Sequence, residues 1–122
     1  MNISIKLCEH IRERIIPQYV NFDKAHRIDH VEKVIEESMK LALHYEVNSA
    51  MVYTIAAYHD LGLCEGREFH HIVSGKILFA DETLWQWFTD DQMLQMKEAI
   101  EDHRASNKQA PRSIYGKIVA EA

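Results

Sequence analysis

The scarcity of glycine and proline limits what this chain can fold into more than any other feature. Four glycines and two prolines occur among 122 residues, too few for the many turns of a β-sandwich or β-barrel. Apolar residues make up 47% of the sequence, which is ordinary for a folded domain and argues against disorder. Because the length suits one hydrophobic core, we predict a single all-α domain over residues 1–122.

Helical periodicity divides the chain into a compact bundle of about five to seven helices. The third helix is apolar nearly all round, which predicts that it is the central, most buried element. The predicted helices cover residues 3–16, about 29–46, 48–60, about 69–80 and about 90–104, and a last helix has Pro111 in its first turn. Pro17 closes the first helix, and the third is capped by Asn48 or Ser49 and stopped by Gly62. A capping box in "TDDQ" opens the helix at about 90. A short turn within 81–88 carries Trp85 and Trp87 toward the edge of the core.

Charge and composition exclude several classes of partner. A net charge of −5 argues against a nucleic acid polymer, because binding one rests on Lys and Arg that neutralise phosphates. Two cysteines, Cys8 and Cys64, are too few for a disulfide scaffold and suit free thiols in a reducing cytoplasm. No apolar stretch reaches the roughly 18 residues of a membrane span. The start of the chain lacks the pattern of a secretory signal. We therefore expect a soluble cytoplasmic protein without a membrane partner.

Histidine is the residue type that points to chemistry, with eight copies in the chain. His59 and Asp60 stand side by side where the apolar third helix ends, and burying either one unpaired is costly. A divalent metal would explain the pair, because it neutralises the carboxylate and binds the imidazole lone pair. His30 leads into an apolar stripe, so its side chain should point toward the core. The alternatives are a structural or surface role for the pair, and a hydrogen bond from His30 to a backbone carbonyl.

Five stretches resemble the HD superfamily of metal-dependent phosphohydrolases. They occur in the order "AHRIDHVEKV", "AAYHDLG", "REFHHIVSGKIL", "AIEDHRAS" and "PRSIYGKIVAEA" and cover about residues 23–122. The resemblance implies that His30 is the first metal histidine and that His59 with Asp60 is the dyad that names the family. It also implies additional metal histidines at His71, four residues before Gly75, and at His103. The implied cofactor is a divalent ion (Mn, Zn, Fe, Ni, Co or Mg), with one or two per chain.

Some histidines and the chain end receive other interpretations. Since a helix turns adjacent side chains apart, His71 is preferred over His70, and His70 is interpreted as structural. His10 and His44 match no motif and are interpreted as surface residues. In the family the last metal ligand is an aspartate after a segment like "YGKIVAEA". The sequence ends at Ala122, where this aspartate is expected, so we expect truncation before it.

The implied activity is metal-dependent hydrolysis of a small phosphorylated metabolite or nucleotide, as a phosphomonoesterase or phosphodiesterase. Asp60 would serve catalysis as well as metal binding, and Glu65 would assist proton transfer. The cations that would hold the phosphate are Arg67, Lys76 and Arg104. The alternative for Glu65 and for each cation is a solvated charge.

Two other functions fit the same residues. Some relatives of this fold bind two irons and oxidise their substrates with O₂, and these histidines with Asp60 would suffice for a di-iron oxygenase. A non-catalytic module would bind metal only for stability, or a ligand only for sensing.

Overall fold

The computed structural model describes residues 3–22, 28–66, 68–103 and 110–122. Within these ranges the secondary structure is helical and contains no strand, which confirms the all-α prediction. The described part of the chain contains six α-helices: α1 (Ile5–His10), α2 (Ile28–Ala42), α3 (Ser49–Tyr58), α4 (His70–Ala80), α5 (Asp90–Asp102) and α6 (Ile114–Glu121). None of the helices described here combines the length and apolar character needed to cross a bilayer.

The N-terminal segment changes helical pitch twice instead of ending at Pro17. After α1 the backbone forms a π-helical turn over Ile11–Ile15 and a 3-10 helix over Ile16–Asn21. Pro17 lies in the first turn of that 3-10 helix, where its missing N–H leaves no hydrogen bond unmade. The prediction that Pro17 closes the helix is therefore wrong. Side chains spaced by four residues on one face of this segment enter the core: Leu7, Ile11, Ile15 and Tyr19.

Helix α3 is the central element, as predicted. It contacts α2, α4, α5 and α6, and every residue from Met51 to Tyr58 is buried. The helix begins where the Asn48 side chain accepts hydrogen bonds from the N–H groups of Ala50 (2.9 Å) and Met51 (3.3 Å). It ends at Tyr58, earlier than the predicted stop at Gly62, and a 3-10 helix over Leu61–Glu65 follows.

The predicted start of α5 is confirmed, whereas that of α6 is wrong. The Thr89 hydroxyl accepts from the Gln92 N–H at 3.2 Å, and the Gln92 side chain accepts from the Thr89 N–H at 2.9 Å. This is the reciprocal capping box expected from "TDDQ". Helix α6 begins at Ile114 because the Ser113 hydroxyl caps it, so Pro111 precedes the first turn.

His10 is not the surface residue that the sequence predicted. Its Nε2–H donates to Asp81 Oδ2 at 3.0 Å, and the same nitrogen lies 3.1 Å from the Tyr58 hydroxyl. The Tyr58 hydroxyl donates to the same Asp81 oxygen at 2.5 Å. These bonds join α1 to the ends of α3 and α4, which explains why a histidine is half-buried there. His44 is exposed, as predicted.

Candidate metal centre

The dyad lies where the backbone leaves the central helix. His59 still has helical angles, but Asp60 has φ −115° and ψ 9°, outside the helical region. Both residues are only 4% exposed. Adjacent side chains on a regular helix diverge by 100°, whereas this change of direction lets both face the same volume. The His59 Nε2 atom lies 3.1 Å from Asp60 Oδ2.

Four imidazoles surround the Asp60 carboxylate, two at each oxygen. At Oδ2, the Nε2 atom of His59 is joined by that of His30 from α2 at 3.6 Å. At Oδ1, the Nε2 atoms lie at 3.2 Å for His70 and 3.7 Å for His103. These side chains come from the start of α2, the end of α3, the start of α4 and the end of α5. Three helix–helix packings are therefore needed to bring them together.

Two of the imidazoles are held by backbone carbonyls in the orientation that frees Nε2. His59 Nδ1 lies 2.5 Å from the Ala56 carbonyl oxygen, and His103 Nδ1 contacts the Ile100 carbonyl oxygen. Because a carbonyl only accepts, Nδ1–H must be the donor in both bonds, so a neutral ring carries its lone pair on Nε2. A histidine that ligates a metal is held by such a bond from its other ring nitrogen.

Asp60 stays ionised in spite of its burial. Burial by itself disfavours the charged form, but hydrogen bonds in which a proton lies between the carboxylate and the Nε2 atoms of His103, His59 and His70 outweigh it. Together they hold the pKa of the Asp60 carboxyl well below its ordinary value. The site therefore contains one buried negative charge at neutral pH.

This donor set fits a divalent cation. Nε2 lone pairs directed at a carboxylate repel its oxygens unless a proton or a cation lies between them. Two groups of ligand atoms lie within 4.8 Å of one another: His30, His59 and Asp60, and Asp60, His70 and His103. Asp60 belongs to both. Imidazole nitrogen with carboxylate oxygen suits borderline ions such as zinc, manganese, iron, cobalt or nickel.

The cluster is buried at one side and open at the other. The Asp60 side chain is 5% exposed and the His103 side chain 12%, but the His30 side chain is 39% exposed.

The structure brings together four of the five residues predicted to bind metal: His30, His59, Asp60 and His103. The sequence favours His71 over His70 as a metal residue, whereas in the structure His70 is the residue whose Nε2 faces Asp60. Sequence could not choose between the two adjacent histidines, since the choice depends on the rotation of α4 about its axis. His71 belongs to neither of the two ligand groups found among the described residues.

Close packing between the dyad turn and α4 sets that rotation. The Gly62 N–H donates to the Ser74 hydroxyl at 2.7 Å, and both residues are buried. A Cβ atom on Gly62 would lie 2.1 Å from the His70 carbonyl oxygen and 2.6 Å from the Ser74 nitrogen. Only glycine permits this approach, which holds His70 at the height of Asp60. The required glycine is visible in the "HDLG" stretch, although the spacing of the residues alone does not reveal its role.

The other predicted site residues are exposed or lie outside the described chain. Glu65 is exposed at the end of the 3-10 helix, and Lys76 is exposed on α4. Glu65 belongs to neither described ligand group. Arg67 and Arg104, predicted to bind phosphate, lie outside the described residues, as does His26 of the "AHRIDHVEKV" stretch.

Comparison with known proteins identifies the family. A family model described as HD domain matches residues 27–122, well over half of the chain. No curated protein matches the chain, and no solved structure does. The matched segment contains every residue of the two ligand groups. The chain therefore belongs to the HD domain family.

Proposed function

We propose that the protein is a metal-dependent phosphohydrolase that acts on a small phosphorylated metabolite or nucleotide. The observation that carries the proposal is the ring of four Nε2 atoms around the buried Asp60 carboxylate. When bound, divalent ions would polarise a phosphoryl oxygen and lower the pKa of coordinated water toward neutrality. Membership of a family of metal-dependent hydrolases supports the same reaction type.

We further propose that the site could hold two ions, one with His30, His59 and Asp60 and the other with Asp60, His70 and His103. Its Oδ2 faces His30 and His59, and its Oδ1 faces His70 and His103, so each oxygen has two nitrogen partners. Two ions held by these residues would stabilise the attacking and leaving oxygens of an in-line phosphoryl transfer. The low pKa of Asp60 favours this role as a ligand over that of a proton donor.

The remaining roles concern the substrate. The partly exposed His30 edge is the proposed entry for the phosphate group. Arg67, Lys76 and Arg104 are the proposed cations for its oxygens, and Glu65 is the proposed aid to proton transfer. A bidentate guanidinium suits a phosphate better than an ammonium does, so the two arginines are the stronger candidates.

The decisive experiment combines metal analysis with hydrolysis. The purified full chain, loaded separately with Mn²⁺, Zn²⁺, Co²⁺ and Ni²⁺, is assayed on a panel of phosphomonoesters, phosphodiesters and nucleotides. We expect phosphate release that a chelator abolishes and that Asp60→Asn lowers by several orders of magnitude. If no metal form cleaves any member of the panel, the proposal fails. Because His44 is exposed and lies outside both ligand groups, His44→Ala serves as the matched histidine control.

Two ligand groups that share one carboxylate also fit a pair of irons, which is the arrangement a di-iron oxygenase needs. Elemental analysis separates this second candidate from hydrolysis. Two irons per chain with a mixed-valence spin signal, and no phosphate release, would favour oxidation.

A further inference from the structure

A tyrosine from outside the family match touches the backbone of the dyad. Tyr19 lies on the 3-10 helix Ile16–Asn21, before residues 27–122 that the family model matches. Its side chain is completely buried and packs edge-on against Phe22, with ring centroids 5.3 Å apart. Its hydroxyl donates to the Ala57 carbonyl at 2.7 Å and accepts from the Asp60 N–H at 3.2 Å.

These two bonds replace the ones that would continue α3. In a continuing α-helix the Asp60 N–H would donate to the Ala56 carbonyl, and the Ala57 carbonyl would accept from residue 61. Here the Ala56 carbonyl accepts from the His59 ring, and the Tyr19 hydroxyl serves the other two groups. One hydroxyl thus satisfies a buried donor and a buried acceptor at the point where the helix ends.

We propose that Tyr19 is a positioning residue for the metal site: its hydroxyl fixes the backbone direction at Asp60 so that both carboxylate oxygens face the histidines. Without the hydroxyl, the Asp60 N–H and the Ala57 carbonyl lose their partner in a dry environment. Extending α3 would give the Asp60 N–H a new acceptor, because it brings this N–H to the Ala56 carbonyl. That movement turns the Asp60 side chain and competes with the bond that orients His59.

The chain offers a matched control next to the dyad. Tyr58 is also completely buried, and its hydroxyl also makes hydrogen bonds, but to Asp81 rather than to the dyad. Tyr58→Phe therefore removes an equally buried hydroxyl without altering the contacts of Asp60. A general loss of stability would affect both variants alike, whereas loss of positioning affects Tyr19→Phe alone.

The test uses the full chain and Co²⁺ alone as the probe. Co²⁺ affinity and its visible absorption spectrum are measured for wild type, Tyr19→Phe and Tyr58→Phe. We expect Tyr19→Phe to weaken Co²⁺ binding by about tenfold or more, as loss of a ligand-orienting group does, and to change the spectrum. We expect Tyr58→Phe to leave the affinity within about threefold and the spectrum unchanged. Unchanged affinity in Tyr19→Phe, or equal losses in both variants, would overturn the proposal.

A second readout separates this inference from the proposed function on which it rests. Exchange of the Asp60 amide hydrogen is followed by NMR in protein stripped of metal. It should be slow in wild type and Tyr58→Phe and at least about tenfold faster in Tyr19→Phe. If wild type binds no Co²⁺, the proposed function fails while the exchange rates still decide the role of Tyr19. Fast exchange at Asp60 in wild type contradicts the inference even if Tyr19→Phe does not fold.

Discussion

At the scale of single residues, one carboxylate organises the site. Burial alone would make Asp60 neutral, and an uncompensated buried charge is among the most costly groups in a protein. The surrounding imidazoles reverse this preference when a proton or a cation lies between their Nε2 atoms and its two oxygens. The same residue that would destabilise an apolar core therefore becomes the anion on which a cation site depends.

The two adjacent histidines of α4 should differ in their effect on metal binding. His70 Nε2 lies 3.2 Å from Asp60 Oδ1, whereas His71 belongs to neither ligand group. We expect His70→Ala to weaken Co²⁺ binding by at least about tenfold, and His71→Ala to leave the Co²⁺ affinity nearly unchanged. Isothermal titration of both variants measures this. Equal losses, or a larger loss for His71→Ala, would contradict the geometry.

Tyr58 should make the protein sensitive to alkaline pH. Burial, followed by the hydrogen bond and the charge of Asp81, raises the pKa of its hydroxyl in the folded state. A raised folded pKa means that stability is complete below the unfolded pKa of about 10 and declines as pH rises above it. The expected contribution to the decline is about 1.4 kcal/mol per pH unit. Above about pH 10, the free energy of unfolding should therefore fall more steeply with pH in wild type than in Tyr58→Phe. The difference between the two slopes should be on the order of 1.4 kcal/mol per pH unit.

At the scale of elements, the contact between the dyad turn and α4 determines which histidine reaches Asp60. The Gly62 backbone lies so close to the first turns of α4 that no side chain fits between them. The bond from its N–H to the Ser74 hydroxyl fixes the rotation of that helix. Backbone packing between the dyad turn and α4 thus helps to place His70 beside Asp60.

Gly62→Ala should damage both stability and metal binding. The new Cβ would meet the backbone of His70 at 2.1 Å, and backbone cannot move aside as a side chain does. We expect a loss of about 1–3 kcal/mol or more in unfolding free energy, with weaker Co²⁺ binding. Gly75→Ala is the control, because its Cβ would meet its nearest neighbours, both in Lys97, at 3.3 Å. Denaturant titration and Co²⁺ titration compare Gly62→Ala with Gly75→Ala. Equal losses of stability and of Co²⁺ affinity in the two variants would contradict the role of the Gly62 packing.

At the scale of the whole molecule, the segment before the family match completes the core. Its apolar face buries four side chains, and Tyr19 reaches the dyad itself. Helices α2 to α6 would expose the facing apolar surface without it. The folding unit is therefore larger than residues 27–122, to which the family description applies.

Removal of residues 1–22 should prevent cooperative folding. Each large apolar side chain lost from the core contributes about 1.5–3 kcal/mol. Together, Leu7, Ile11, Ile15 and Tyr19 approach the whole stability of a typical domain, about 5–15 kcal/mol. Ile5→Ala, at a position 75% exposed, should change stability by no more than about 0.5 kcal/mol. Circular dichroism during thermal unfolding checks both, and a sharp transition in the truncated chain would refute the prediction.

The helical class, the burial of α3 and the capping box at Thr89 could be predicted from the sequence, because periodicity and local hydrogen bonding are properties of neighbouring residues. That His30, His59, Asp60 and His103 lie together was implied by the resemblance to the HD superfamily, through the order of its motifs. Three features became visible in the fold alone: that His70 rather than His71 faces Asp60, that His10 is half-buried, and that Tyr19 contacts the dyad. Those outcomes depend on helix rotation and on contacts between residues far apart in the chain, which no local pattern specifies.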